Sequence, residues 1–270
     1  MPLPIRNRYL QLLADNRSVQ GRRFEVRLQA EADAAEVLIY DAIVDDAQMA
    51  EWFGGVAAEP VVRALRDITA STIHLRVNSP GGSVFAARAI EQALREHPAR
   101  VVAHIDGLAA SAASFLVMAS DEIVMPKGAM MMIHKAWSVA WGNEDDLMAT
   151  AAVLGKIDGT LVDTYADRTG QPAQQILDWM RAETWFTGTE AVELGFADRL
   201  AEGAPRADES AQDQAAPGAW NLSAYLRPPH AAKPAQAPAP AAAGEPLVSD
   251  EHRARQRQRL ACMARVASTI

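Results

Sequence analysis

The sequence predicts an α/β fold of parallel βαβ units followed by a long extension of different character. Three observations predict it. Short runs rich in β-branched residues alternate with segments whose apolar residues recur at helical spacing. Gly- and Ser-rich loops follow two of those runs, at the carboxyl ends of strands where α/β proteins build their sites. The composition then breaks near residue 201, where Pro, Ala and Gln take over.

The strands are expected at Glu36–Tyr40, Ile73–Val77, Val101–Ile105 and Glu122–Met125. Helices are expected at Pro60–Ile68, Val84–Glu96, Asp145–Tyr165 and Ala173–Met180. Strands separated by helices imply a parallel sheet with helices on its faces. The uncharged apolar stretch from Gly107 to Ala119 is too short to span a bilayer and reads as a buried helix. Residues 1–24 form an N-terminal segment, with Arg6, Arg8, Asp15 and Arg17 where a signal peptide would need an apolar run. Residues 25–200 form the folded domain.

Beyond it, eight of the fifteen prolines fall between Pro205 and Pro246. Such a stretch buries too little apolar area to offset its ordering entropy, so 201–248 reads as a disordered Pro/Ala-rich linker. Within it Trp220, Leu222, Tyr225 and Leu226 form an apolar cluster, read either as a loosely docked strap or as a recognition segment for a partner. Ser249 can cap a basic C-terminal helix over 249–270 that carries Arg253, Arg255, Arg257, Arg259 and Arg265. This helix is either solvated or a docking element for an acidic partner.

The bulk numbers exclude several classes. A net charge of -8 argues against a nucleic-acid binder. One cysteine, Cys262, rules out an internal disulfide framework and disfavours a Cys/His zinc site. No ligand spacing suggests a metal or organic cofactor. The expectation is a cytoplasmic protein without membrane contact.

Chemistry is expected in two loops and one histidine. Asn78-Ser79-Pro80-Gly81-Gly82-Ser83 follows a strand and precedes a helix; its paired glycines can expose N–H groups to a developing oxyanion. Gly107-Leu108-Ala109-Ala110-Ser111-Ala112 places a serine among small residues at a helix start, with room for a carbonyl to approach. A serine needs a base to act as nucleophile, and His134 follows the next strand. Each feature alone is an ordinary turn, packing serine or structural histidine. Together they supply what nucleophile, base and oxyanion hole require.

In order and spacing, Asn78-Ser79-Pro80-Gly81-Gly82-Ser83-Val84, Gly107-x-Ala109-Ala110-Ser111 and Met132-Ile133-His134 resemble the ClpP peptidase family. The similarity continues through Thr169-Gly170-Gln171 to Glu190-Ala191-Val192-Glu193-x-Gly195-Phe196-Ala197-Asp198. The resemblance implies a ClpP/crotonase-like spiral of βαβ units. It implies a serine endopeptidase with Ser111 as nucleophile, His134 as base, and the backbone N–H groups of Gly81 and Ala112 as oxyanion hole. The family's third catalytic residue is an aspartate; the matching position is Glu183, with Asp178 as the fallback. The family pattern places a small packing residue at Ser114. The resemblance also implies a ring-shaped homo-oligomer, joined through the long helix, with protein or peptide substrates and an ATPase unfoldase as possible partner.

Glu51-Trp52-Phe53-Gly54-Gly55-Val56, Glu183-Thr184-Trp185-Phe186-Thr187 and the tail resemble the ClpP-related head maturation (prohead) proteases of tailed phages. Those act on scaffold or capsid proteins. Three alternatives stay open: a quality-control Clp proteolytic subunit, a signal-peptide-peptidase-like enzyme with a Ser111–Lys156 dyad, and a non-catalytic shell component.

Overall fold

A computed structural model of the chain describes residues 7–29, 33–201 and 220–229. The basic segment expected over 249–270, and the Pro/Ala-rich linker except residues 201 and 220–229, lie outside the described residues.

The chain opens with α1 (Arg8–Asp15), then β1 (Arg23–Gln29), β2 (Ala34–Tyr40) and the two-residue β3 (Ile43–Val44). Next come α2 (Ala47–Phe53), β4 (Val56–Ala57), α3 (Ala58–Asp67), β5 (Thr72–Ser79), α4 (Val84–Arg95) and β6 (Arg100–Ala110). The second half runs through α5 (Ala112–Leu116), β7 (Glu122–Met125), β8 (Met130–Ile133), α6 (Glu144–Thr169), α7 (Ala173–Ala182), β9 (Thr184–Thr187), α8 (Gly188–Glu193) and β10 (Arg199–Leu200). The main sheet has the order β1-β2-β5-β6-β7-β10, and β3 and β4 form a small parallel pair.

The predicted parallel sheet is present over β2, β5, β6, β7 and β10. Two antiparallel pairings were not foreseen: β1 on β2, and β9 on β8. The face that packs on the core is visible in β5. Ile73, Leu75 and Val77 are fully buried, while His74 and Arg76 alternate with them on the other face. The buried face carries the helices of the core; fully burying each such side chain contributes roughly 1.5–3 kcal/mol. The opposite face carries an ionic network in which Arg76 pairs with Asp106 and Tyr40 donates to the same carboxylate.

β6 is the pivot of the architecture. Its first half pairs with β7 through Val102–His104, and its second half pairs with β8 through Leu108–Ala110. One strand thus feeds two neighbours in succession, and the sheet turns as it does so. This corrects the expected helix over Gly107–Ala119. The small residues Gly107–Ala110 stay extended because β8 supplies ladder partners, and the helix begins only at Ala112. α6 is longer than expected. An Asn143–Asp146 capping box opens it, and Gly170, in the left-handed region at φ 69°, closes it.

Candidate active site

The fork in β6 brings the site together. Ala110 pairs with Met132, and the Ser111 N–H donates to the Met132 carbonyl at 2.9 Å. Ser111 is therefore fixed one residue beyond β6, and His134 one residue beyond β8, on adjacent parallel strands. Their side chains meet: Ser111 Oγ lies 2.7 Å from His134 Nε2. Ser111 adopts φ 53°, ψ −120°, a conformation that a non-glycine residue rarely holds and that strand and helix impose from both sides. It throws the hydroxyl out of the turn, towards the histidine.

Burial is the first cause, and the Arg8 guanidinium the second, that pushes the His134 imidazole down to about 4. At neutral pH it is uncharged, the state in which a ring nitrogen can accept the serine proton. A cleft of about 330 Å³ opens beside the pair and is bordered by Arg8, Leu12, Ser83, Phe85, Trp137 and Leu154.

Gly81 and Gly82 turn beneath the serine. A Cβ on Gly81 would sit 2.8 Å from Ser111 Cβ and 2.9 Å from Ala112 N, so only glycine lets this backbone approach. Ala112 is the first residue of α5, and its N–H has no acceptor within the helix. Gly81 N–H points to Ser79 Oγ at 3.1 Å. The two expected oxyanion donors thus flank the serine, one of them engaged by a neighbouring hydroxyl.

Glu183 sits where the strand register puts it opposite His134. Ile133 pairs with Thr184, and His134 and Glu183 are the next residues of the two chains. Yet its buried carboxylate is used elsewhere. It accepts the backbone N–H of Leu226 at 3.0 Å and that of Arg227 at 2.6 Å. Asp178, the fallback acid, is on the exposed side of α7 and binds Gln174 and Arg181. It is corrected as a candidate: its carboxylate is spent in solvent. Lys156 lies exposed on α6 and makes no contact with Ser111 among the described hydrogen bonds. Ser114 is fully buried, donates to the Ser111 carbonyl at 2.6 Å and shares a 2.7 Å hydrogen bond with Tyr165. It is a structural hydroxyl, more than the small packing residue expected.

Sequence reasoning missed two neighbours of the site. Arg8 comes from α1, outside the expected domain. Tyr225 comes from the 220–229 strap; its ring meets His134 edge-on at 5.5 Å and Trp185 at 5.8 Å, and its hydroxyl donates to the Pro80 carbonyl. The only signal for it was an apolar cluster inside a Pro-rich stretch.

Residues 56–204 match the Clp protease family. A Clp protease proteolytic subunit-related protein 2 of Arabidopsis thaliana chloroplasts is 32% identical over 148 residues, 52% of this chain and 53% of that protein. Proteolytic subunit 2 of the ATP-dependent Clp protease of Corynebacterium diphtheriae is 31% identical over 135 residues, 49% of this chain and 67% of that one. The corresponding subunit of Deinococcus radiodurans is 33% identical over 131 residues, 47% of this chain and 64% of that one. The chain thus spans roughly half to two thirds of the length of these relatives. With more than half of its residues inside the match, and with the serine and histidine meeting at the fork of the sheet, the chain belongs to the Clp protease family.

Proposed function

We propose that the chain is a serine endopeptidase that hydrolyses peptide bonds with Ser111, His134 and Glu183. The observation that carries this reading is the 2.7 Å contact between Ser111 Oγ, on its strained turn, and the neutral imidazole of His134. Ser111 Oγ attacks the scissile carbonyl while His134 Nε2 takes its proton. The tetrahedral oxyanion is held by the N–H groups of Ala112 and Gly81, the latter leaving Ser79. His134 then returns the proton to the leaving amine, and water repeats the cycle on the acyl-enzyme. Glu183, across the strand pair from His134, orients the imidazole.

The substrate reading is the processing of phage scaffold or capsid proteins during head maturation, by a ring-shaped homo-oligomer. It is supported by the Glu51–Val56 and Glu183–Thr187 motifs and by the long Pro/Ala-rich and basic extension. A second reading, the proteolytic subunit of an ATP-dependent machine that receives substrates from an unfoldase, is favoured by the names of the relatives. Cleavage of a purified scaffold protein without ATP supports the first. Degradation of folded proteins that requires both an unfoldase and ATP supports the second.

The chemistry is tested by treating wild type, Ser111→Ala and Ser114→Ala with a fluorophosphonate and reading intact mass. One adduct, absent only from Ser111→Ala, is expected. Hydrolysis of a fluorogenic peptide by Ser111→Ala should fall by about 10⁶-fold, the scale of losing a serine nucleophile. An adduct that survives in Ser111→Ala would refute the assignment.

A further inference from the structure

The strap is not loosely attached. It enters with Trp220, whose indole N–H donates to Asn78 Oδ1 at 3.2 Å, beside the Gly81–Gly82 turn. Asn221 is clamped by Asn16 in both directions, N–H to Oδ1 at 2.7 Å and carbonyl to Nδ2 at 2.9 Å. Ala224 and Tyr225 are buried with Leu12, Leu108, Ala110 and Met132, on the strand ends that carry the serine and the histidine.

Tyr225 then reaches the reacting groups themselves. Its ring meets the His134 imidazole edge-on, and its hydroxyl donates to the carbonyl of Pro80, the residue preceding the oxyanion turn. Burial pushes the phenol up, and the neighbouring Ser111 hydroxyl acts against that. The strap ends on Glu183, whose carboxylate accepts the N–H groups of residues 226 and 227, while Arg227 donates to the Ala182 carbonyl at 2.9 Å.

We infer that residues 220–229 are a built-in plug on one side of the catalytic site, which holds the enzyme latent by packing Tyr225 against His134 and the Pro80 carbonyl and by drawing the Glu183 carboxylate away from His134. This rests on the peptidase reading above. Two consequences follow from one docking event. The cleft of about 330 Å³ stays open beside Ser111 and His134 with Tyr225 as one wall, so the docked strap narrows the space left for a polypeptide. The acid that would orient the base is committed to the strap for as long as the strap is docked. Release removes both blocks together: the cleft widens, and a buried carboxylate that has lost two N–H donors must find another, which His134 offers at the opposing position of the strand pair. The plug is a segment of the same chain, joined to the domain through residues 202–219, so its local concentration is high and dilution does not remove it.

The plug is tested on the full-length chain by the rate of fluorophosphonate labelling at Ser111. Tyr225→Ala removes the strap's wall of the cleft, and Arg227→Pro removes one N–H from Glu183 and the side-chain bond to the Ala182 carbonyl while leaving the apolar contacts. Both should label about tenfold faster or more, since a competent state populated at a tenth or less lowers the apparent rate by that fraction. A third measurement uses the wild type alone, with no variant to misfold. Once its Ser111 carries the phosphonyl group, the amides of residues 226 and 227 should lose protection from hydrogen exchange. Wild-type labelling rates in both variants, or unchanged protection in the labelled wild type, would overturn the plug and leave the peptidase standing. Absence of any adduct in all three proteins would overturn both.

Discussion

The two halves of this site are built by different means. Ser111 and His134 are set by the backbone: adjacent parallel strands, a ladder register and a hydrogen bond from Ser111 N to Met132 O. Glu183 belongs to the other half. Its position is fixed by register too, but its carboxylate answers to a segment more than forty residues away in sequence. The difference teaches that a side chain can be held in place by its own fold and still be engaged from outside it. The serine–histidine contact is set by the sheet, and the Glu183 carboxylate is where, on the proposed reading, control enters.

The sharpest way to probe this comparison is to remove the acid. Glu183→Ala should slow peptide hydrolysis by about 10²–10⁴-fold in a chain whose strap has been opened by Tyr225→Ala, well short of the loss from Ser111→Ala. In the chain with the strap docked, the same substitution should cost far less, because the carboxylate is already diverted; it also takes two acceptors from the strap. Steady-state kinetics of the four combinations give the coupling between the two positions. Equal losses in both backgrounds would mean that the strap does not divert the carboxylate, and no loss in the opened chain would mean that Glu183 serves the strap alone.

The backbone half should fail differently, through stability. Gly82 sits at φ 146°, and a Cβ there would lie 1.9 Å from the Ile43 carbonyl oxygen. Ile43 both donates to Gly81 O and accepts from Ser83 N, each at 2.8 Å, so it cannot step aside. Gly82→Ala should therefore destabilise the fold by about 3 kcal/mol or more, combining backbone strain with a broken turn. Chemical denaturation read by circular dichroism would check it. A change below 1 kcal/mol would show that the turn is softer than its contacts imply.

The same division explains what the sequence made legible. Strand β7 falls at the predicted residues, and β5 and α4 within two residues of prediction at either end, because β-branched runs and helical apolar spacing are local signals. The meeting of Ser111 with His134 was legible because small-residue loops and strand ends recur in a fixed order. Strand β8, Met130–Ile133, was not foreseen, since methionines carry little strand preference and the segment is extended by its neighbours β6 and β9. The extended course of Gly107–Ala110 was hidden for the same reason. The role of Tyr225 lay further off still. Its contact with the Pro80 carbonyl spans 145 residues, and no local pattern reports a docking of that range.

The gentlest test lies just behind the nucleophile. Ser114 and Tyr165 are both fully buried and share a hydrogen bond, and Ser114 also donates to the carbonyl of Ser111. Ser114→Ala removes one hydroxyl and leaves the Tyr165 hydroxyl in the interior without that partner. The expected cost is about 1–3 kcal/mol, the range for an abandoned buried polar group. The turn itself should persist, because the Ser111 N–H still holds Met132 and the Ser114 N–H still holds the Ser111 carbonyl at 2.9 Å. Ser114→Ala should therefore melt earlier than wild type, by a few degrees for a domain of this size, while keeping its fluorophosphonate adduct. Loss of the adduct together with an unchanged melting temperature would invert the roles of the two serines.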